Sequence, residues 1–322
     1  MSLVHEKTSG LDIKKFATQM NLVWEDVVFF INQINSYSNE DACLKVADIG
    51  SCNGDMSRFL RRYIAKDIYT YNVDIYEPLN DIAKIRDTEC GLVNNVEYVL
   101  GDALHLPFEQ ESLDVLIYSR IFHEIFSYEP DIAKNGFSNT SVFKALQQAK
   151  KCLKKNGIIL IQDPAKPAEY NSKVCMSNFA QPKKVLNETD LLNTDVSVLG
   201  TEDLLRRFLI EFEPVAGQYK VTPKGYVFDK WIASEFIRHR KFNDSQSHWN
   251  KEICELYGPL SIFDYKYIAK TLGFKVKSAQ YVRFKKANNF YAINNEFDIT
   301  QNGKKLSQYR SFPVSMYIVL QK

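Results

Sequence analysis

The stretch "VADIGSCNGDMS", residues 46–57, decides how the chain is read. An apolar run interrupted by Asp48 enters a short loop with glycines at positions 50 and 54, and beyond Gly54 an acid and spaced apolar residues open a helix. Strand, glycine turn and helix start, in that order, make the first half of a β-α-β unit. Sheets built from such units bind ligands at the carboxyl ends of their strands.

Working outward confirms the rhythm. "IYTYNVDI" (68–75), "VEYVLGDA" (96–103), "LDVLIYSR" (113–120) and "IILIQDP" (158–164) read as buried strands. Between them "MSRFLRRYIA" and "LNDIAKIRDTE" read as helices, and "SVFKALQQAKKCLKKNG" as a helix closed by its C-terminal glycine. Alternation of this kind predicts a largely parallel sheet with helices on both faces. Ahead of it, Phe16, Met20, Val23, Trp24, Val27, Ile31 and Ile34 recur at three- and four-residue steps, one apolar helical face. After "DPAKPAEYNS" the periodic pieces are helical: "TEDLLRRFLIEF", "YVFDKWIASEFIRHRKF" and "HWNKEICELYG". The α/β pattern resumes with "IFDYKYIAKTLGF", which Ser261 and Asp264 open in the manner of a capping box, and ends on "KVKSAQYVRF" and "VSMYIVLQ". The expected organisation is an N-terminal helical cap (1–40), an α/β core (41–167), a helical lid or substrate insertion (168–258) and completion of the core (259–322).

With 322 residues, 45% of them hydrophobic, the chain can bury a large core. No stretch approaches the roughly 18 uninterrupted apolar residues of a membrane span, and "MSLVHEKTSGLDIKK" lacks the apolar run of a signal peptide, so a cytoplasmic location without membrane partners is expected. Six scattered cysteines without a C-x-x-C pair read as reduced thiols. The net charge of +2 predicts no strong field for nucleic acid. The C-terminal part is more basic: Lys275, Lys277, Arg283, Lys285, Lys286, Lys304, Lys305, Arg310 and Lys322 face only Glu296 and Asp298. A solvated surface accounts for this; an RNA or protein partner is the alternative.

Three strand-end loops carry an acid: Asp48, Asp74 and Asp102. A dinucleotide site requires G-x-G-x-x-G so that the backbone approaches a pyrophosphate. Here Cys52 takes the middle position, and Asp48 would repel phosphate. S-adenosylmethionine suits the acids better, since it carries an ammonium, a sulfonium, a carboxylate and a ribose diol but no phosphate. Asp48 can hold the ammonium, backbone N–H groups at the helix start the carboxylate, Asp74 the ribose hydroxyls and Asp102 the adenine amino group.

"VADIGSCNG", "VDIYEP", "GDALHLPF", "LDVLIYSRIFHEI" and "CLKKNGIILIQDP", in this order, resemble the motifs of class I S-adenosylmethionine-dependent methyltransferases of Rossmann-like fold. "TLGFKV" and "SMYIVLQK" are similar to that family's closing elements. The resemblance implies a mostly parallel seven-stranded sheet and a cofactor site drawn from Asp48, Gly50, Ser51, Cys52, Gly54, Asp74, Ile75, Asp102, Ala103 and Ser119. Cys52 departs from the family's commonest glycine, and Glu77 rivals Asp74 for the ribose.

Methyl transfer is an in-line displacement in which the protein aligns the acceptor and, where needed, removes a proton. The loops after the fourth and fifth strands face the acceptor. His123 is the candidate base there, with Glu124 to orient it, or else a wall of the cofactor pocket. Asp163 is placed to hydrogen-bond the acceptor, and Tyr118 and Tyr128 to line the pocket. A metal site at His239, His248 and Glu252 is disfavoured by the nine-residue step between the histidines. The function expected is methylation of O or N on a small-molecule or peptide acceptor under the insertion.

Overall fold

The computed structural model describes residues 24–37, 43–128, 139–180, 186–283, 296–307 and 311–322. The chain divides into two compact units, one of residues 1–163, 263–280 and 316–322, the other of residues 164–262 and 281–315.

The first unit holds the α/β core. β1 (Leu44–Ile49) is buried at five of its six residues, so it reads as a continuous apolar run rather than an alternating one. β2 (Ile68–Asp74) and β4 (Leu113–Ser119) flank it in parallel, β3 (Val96–Leu100) pairs outside β2, and β5 (Leu153–Pro164) outside β4. With β9 (Lys275–Arg283) and β12 (Pro313–Gln321) the sheet has seven strands in the order β3-β2-β1-β4-β5-β12-β9. The order reverses between β1 and β4, whose ends lie side by side because Ile49 pairs with Tyr118. A cleft at the carboxyl edge opens where an order reverses in this way.

One face of the sheet is covered by α1 (Trp24–Ser36) and α2 (Asp55–Tyr63). Val27, Phe30 and Ile34 of α1 join Met56 and Leu60 of α2 in one cluster with Val46, Val115, Ile117 and Leu160 of the strands. Burial of each large apolar side chain contributes about 1.5–3 kcal/mol, so α1 belongs to the core. Phe16, Met20 and Val23 lie outside the described residues. The remaining helices among the unit's described residues are α3 (Glu77–Glu89), α4 (Phe122–Ser127), α5 (Thr140–Cys152) and α10 (Ile262–Thr271). α5 ends at Cys152 and β5 begins at once, so Gly157 does not close the helix as the sequence suggested. Gly157 instead lies where a Cβ would meet the Asp114 and Lys154 carbonyl oxygens at 3.0–3.1 Å.

The second unit corrects a larger expectation. The insertion is not purely helical: β6 (Lys173–Ser177), β7 (Tyr219–Thr222) and β8 (Gly225–Asp229) join β10 (Asp298–Gln301) and β11 (Lys304–Lys305) in a five-stranded sheet, order β11-β10-β6-β8-β7. Its described pairings are antiparallel. The α-helices among its described residues are α6 (Glu188–Asn193), α7 (Thr201–Glu211), α8 (Lys230–His239) and α9 (Gln246–Glu252). "YVFDKWIASEFIRHRKF", read as one helix, is a strand with period-two burial that turns into α8 at Asp229.

Candidate functional site

The loop leaving β1 is held by its own backbone. Gly50, Cys52 and Gly54 all have positive φ, 71°, 48° and 74°. Glycine adopts this region freely, whereas a cysteine there is strained. Gly54 must also be small, since a Cβ would meet the Ala83 side chain and Asn72 Nδ2 at 2.9 Å. A Cβ on Gly50 would meet Ile121 at 2.7 Å, which places the loop after β4 directly against the loop after β1.

The N–H groups of the β1 loop are already engaged. Gly50 and Ser51 donate to the Val73 carbonyl at 2.8 and 3.0 Å, and Gly54 donates to Ser51 O at 2.8 Å. Cys52 donates to Asp74 Oδ2 at 2.9 Å and Asp55 to Asn53 Oδ1 at 3.1 Å. Of the N–H groups expected to take a ligand carboxylate, those of Gly50, Ser51, Cys52, Gly54 and Asp55 thus already have protein acceptors. Asp74 accepts a further bond, from Tyr76 N at 2.9 Å, so it fastens the β1 and β2 loops. Burial pushes its carboxyl above the usual range. Its rival Glu77 is exposed in the first turn of α3.

Asp48 is in a different situation. It is 3% exposed, and no described residue donates a hydrogen bond to its carboxylate. Burial, reinforced by the charge of Asp74, pushes it up to about 7. An unpaired buried carboxylate is costly in isolation and fits a cationic ligand. Beside it the Ser51 hydroxyl is buried without a hydrogen-bond partner. Cys52 is held in the thiol form by burial and by the charge of Asp74. Ile75, half exposed at the end of β2, offers an apolar surface.

After β3, Asp102 Oδ1 accepts from Leu104 N at 2.8 Å, and its Oδ2 lies 3.4 Å from Nδ1 of the exposed His105. Ala103 is half-buried in the same turn. His105 was not singled out in the sequence, although its place three residues after Asp102 carried the signal. After β4, Ser119 Oγ donates to Gln162 Oε1 at 3.3 Å, and Arg120 takes a positive φ of 56° with its N–H on Gln162 O at 2.7 Å.

His123, in the first turn of α4, is buried with Nδ1 2.9 Å from Asp163 Oδ1. Asp163 thus faces Nδ1 of the imidazole, for which the sequence offered Glu124 as the orienting acid. Glu124 is half-buried, close enough to Cys52 to raise its thiol further. Tyr118 is no pocket wall: it is wholly buried and stacked on Phe122, ring centroids 4.6 Å apart. Tyr128 is the half-buried residue closing α4.

Residues 47–161 match the family model described as a methyltransferase domain. The core is a class I S-adenosylmethionine-dependent methyltransferase domain. Its cofactor is S-adenosylmethionine, which the unpaired Asp48 fits and a phosphate-bearing dinucleotide would not. The methyltransferase core is similar to the ubiquinone/menaquinone biosynthesis C-methyltransferase UbiE of Wigglesworthia glossinidia brevipalpis, 25% identical over 51% of this chain and 57% of that protein. The enzyme of the same name from Idiomarina loihiensis is 26% identical over 38% of this chain and 44% of its own length. The chain thus spans about half the length of the curated relatives it matches. Among solved structures, an S-adenosylmethionine-dependent methyltransferase from Mesorhizobium loti shares the fold, with a TM-score of 0.50 and 11% identity over 92% of this chain and 98% of that one.

In the second unit, His239 and His248 do not converge on a metal. Both ring nitrogens of His239 face carbonyl oxygens, Glu235 O at 2.9 Å and Glu255 O at 3.0 Å. His248 Nδ1 lies 2.7 Å from Asp244. Among the described residues no helix is long and apolar enough to cross a membrane. Of the basic C-terminal residues, Lys305 pairs with Asp298 and Lys322 with Glu111. Lys285, Lys286 and Arg310 lie outside the described residues.

Proposed function

We propose that the chain methylates a small-molecule acceptor that must lose a proton. The observation that carries the cofactor half of this reading is Asp48, a sealed carboxylate with no partner, beside a second acid. In it Asp48 holds the cofactor's ammonium, Asp74 uses its remaining lone pairs for the ribose hydroxyls, Ile75 and Ala103 flank the adenine, and Asp102 accepts from its amino group. Gly50, Ser51, Cys52, Gly54 and Ser119 shape the walls. When bound, the cofactor supplies an electrophilic methyl on its sulfonium; alignment and proton removal fall to the protein.

For the proton, the His123–Asp163 pair is the candidate. A carboxylate on Nδ1 fixes the ring and stabilises the imidazolium, which directs Nε2 as the basic nitrogen. Glu124 is left to tune this loop electrostatically. The sequence reading favoured O or N as acceptor atom, and the relatives' names add carbon. One base serves all three, because a hydroxylated ring turns nucleophilic at oxygen or neighbouring carbon once its hydroxyl proton is gone. The alternative acceptors, RNA or protein, draw on a basic segment whose Lys305 and Lys322 are already neutralised.

The test is an extract of small molecules incubated with enzyme and isotope-labelled S-adenosylmethionine, read by mass spectrometry. One labelled product, formed roughly 10²-fold more slowly by His123→Asn, supports the reading. Label confined to RNA or protein would refute the acceptor class, and unchanged turnover in His123→Asn would return that residue to a structural role.

A further inference from the structure

A cofactor with an α-carboxylate needs a donor for it, and the loop that would ordinarily supply one is occupied. Gly50, Ser51, Cys52, Gly54 and Asp55 all spend their N–H groups on protein acceptors. The charged side chains aimed at the same strand ends, Asp48 and Asp74, are both anionic. The loop packed against Gly50 through Ile121 offers the opposite charge one residue away, at Arg120.

Arg120 is mounted for such a role. Its Nη2 donates to Asp26 Oδ2 at 2.8 Å, and Asp26 is buried on α1. Tyr317 of β12 donates to the other oxygen of Asp26 at 2.5 Å, while its ring stacks on Phe29 of α1 at 4.2 Å and 6° between planes. One corner of the guanidinium is therefore fixed. No described residue accepts from its other N–H groups, and the side chain is about a third exposed. The backbone beneath is in the left-handed region, φ 56°, a conformation that a non-glycine residue keeps only where its surroundings enforce it. Here the Gln162 carbonyl on the Arg120 N–H and the Asp26 carboxylate on its side chain enforce it.

We propose that Arg120 binds the α-carboxylate of the cofactor's methionine moiety through its open guanidinium edge, with Asp26 and Tyr317 as its positioning residues. α1 then serves the cofactor site as well as the core. A charge-assisted guanidinium–carboxylate pair discriminates strongly between ligands with and without the carboxylate.

The assignment rests on the cofactor reading above, and three ligands separate the two: S-adenosylhomocysteine, its decarboxylated analogue and methylthioadenosine, each titrated calorimetrically into wild type and Arg120→Gln. The wild type should prefer S-adenosylhomocysteine over the decarboxylated analogue by at least about tenfold. Arg120→Gln should lose that preference and bind methylthioadenosine as the wild type does, which also shows that the variant is folded. A preference kept in Arg120→Gln would overturn the assignment and return the carboxylate to a rearranged β1 loop. Failure of the wild type to bind any of the three would overturn the cofactor reading itself.

Discussion

Asp48 and Glu235 are both carboxylates sealed inside their own units, 3% and 1% exposed, and they live in opposite circumstances. Glu235 is saturated: Arg238 Nη1 donates to it at 2.8 Å, Tyr257 N at 2.8 Å and Gly258 N at 2.9 Å. Arg238 in turn donates to the carbonyls of Ala165 and Pro313. Even Gly258 conforms, for a Cβ there would meet Arg238 Nη1 at 2.8 Å. Asp48 accepts nothing and sits beside a like charge. The lesson is that burial of a charge does not by itself mark a site. A satisfied carboxylate is a fastener, and an unsatisfied one at a strand end is a candidate ligand site.

That contrast breaks most visibly at Glu235. Glu235→Ala leaves the Arg238 guanidinium buried without its carboxylate and two backbone N–H groups without an acceptor, so unfolding by denaturant should show a loss of about 3–5 kcal/mol. A loss below 1 kcal/mol would mean that the cluster does not fasten the second unit.

Asp48→Asn should act with the opposite sign. A carboxyl raised from 3.8 to about 7 in the folded state gives stability that is complete below pH 4 and is lost as pH rises through 7. The asparagine variant escapes that loss. Without cofactor it should match the wild type below pH 4, pull ahead between pH 4 and 7, and exceed it at pH 8 by up to about 4 kcal/mol. A variant less stable than wild type at pH 8 would show that Asp48 has a partner in the fold.

Gly54→Ala sharpens the picture of the loop rather than the charge. With φ at 74° and contacts of 2.9 Å awaiting a Cβ, it should destabilise the first unit by about 1–3 kcal/mol. Gly91→Ala, whose glycine also has positive φ but has no atom within 4 Å of its Cβ position, should cost less. Equal losses at the two positions would remove the packing argument.

The core was legible because parallel strands buried on both faces are uninterrupted apolar runs, and β1, β4 and β5 stand out whatever surrounds them. The strands of the second unit were not. β6, β7 and β8 are only four or five residues long, β7 buries none of its residues, and β8 runs into α8 so directly that "YVFDKWIASEF" imitates a single helix. Asp48, Asp74 and His123 were legible as candidates because strand ends can be read locally. The Arg120–Asp26 pair was not legible: the two residues are 94 apart in sequence, and only the fold brings α1 to the β4 loop. Likewise the contact between His123 and Asp163, 40 residues on, forms because β4 and β5 are neighbours, which the local sequence does not reveal.

The central claim, that the unpaired Asp48 holds the cationic end of S-adenosylmethionine, is tested most directly by calorimetric titration of that cofactor between pH 5.5 and 8. Below pH 7 the ligand must displace a proton from Asp48, so wild-type binding should be one to one and weaken about tenfold for each unit of pH below 7. Asp48→Asn should bind weakly and without that slope. Affinity that is independent of pH in the wild type and undiminished in Asp48→Asn, or binding of NAD in place of S-adenosylmethionine, would contradict it.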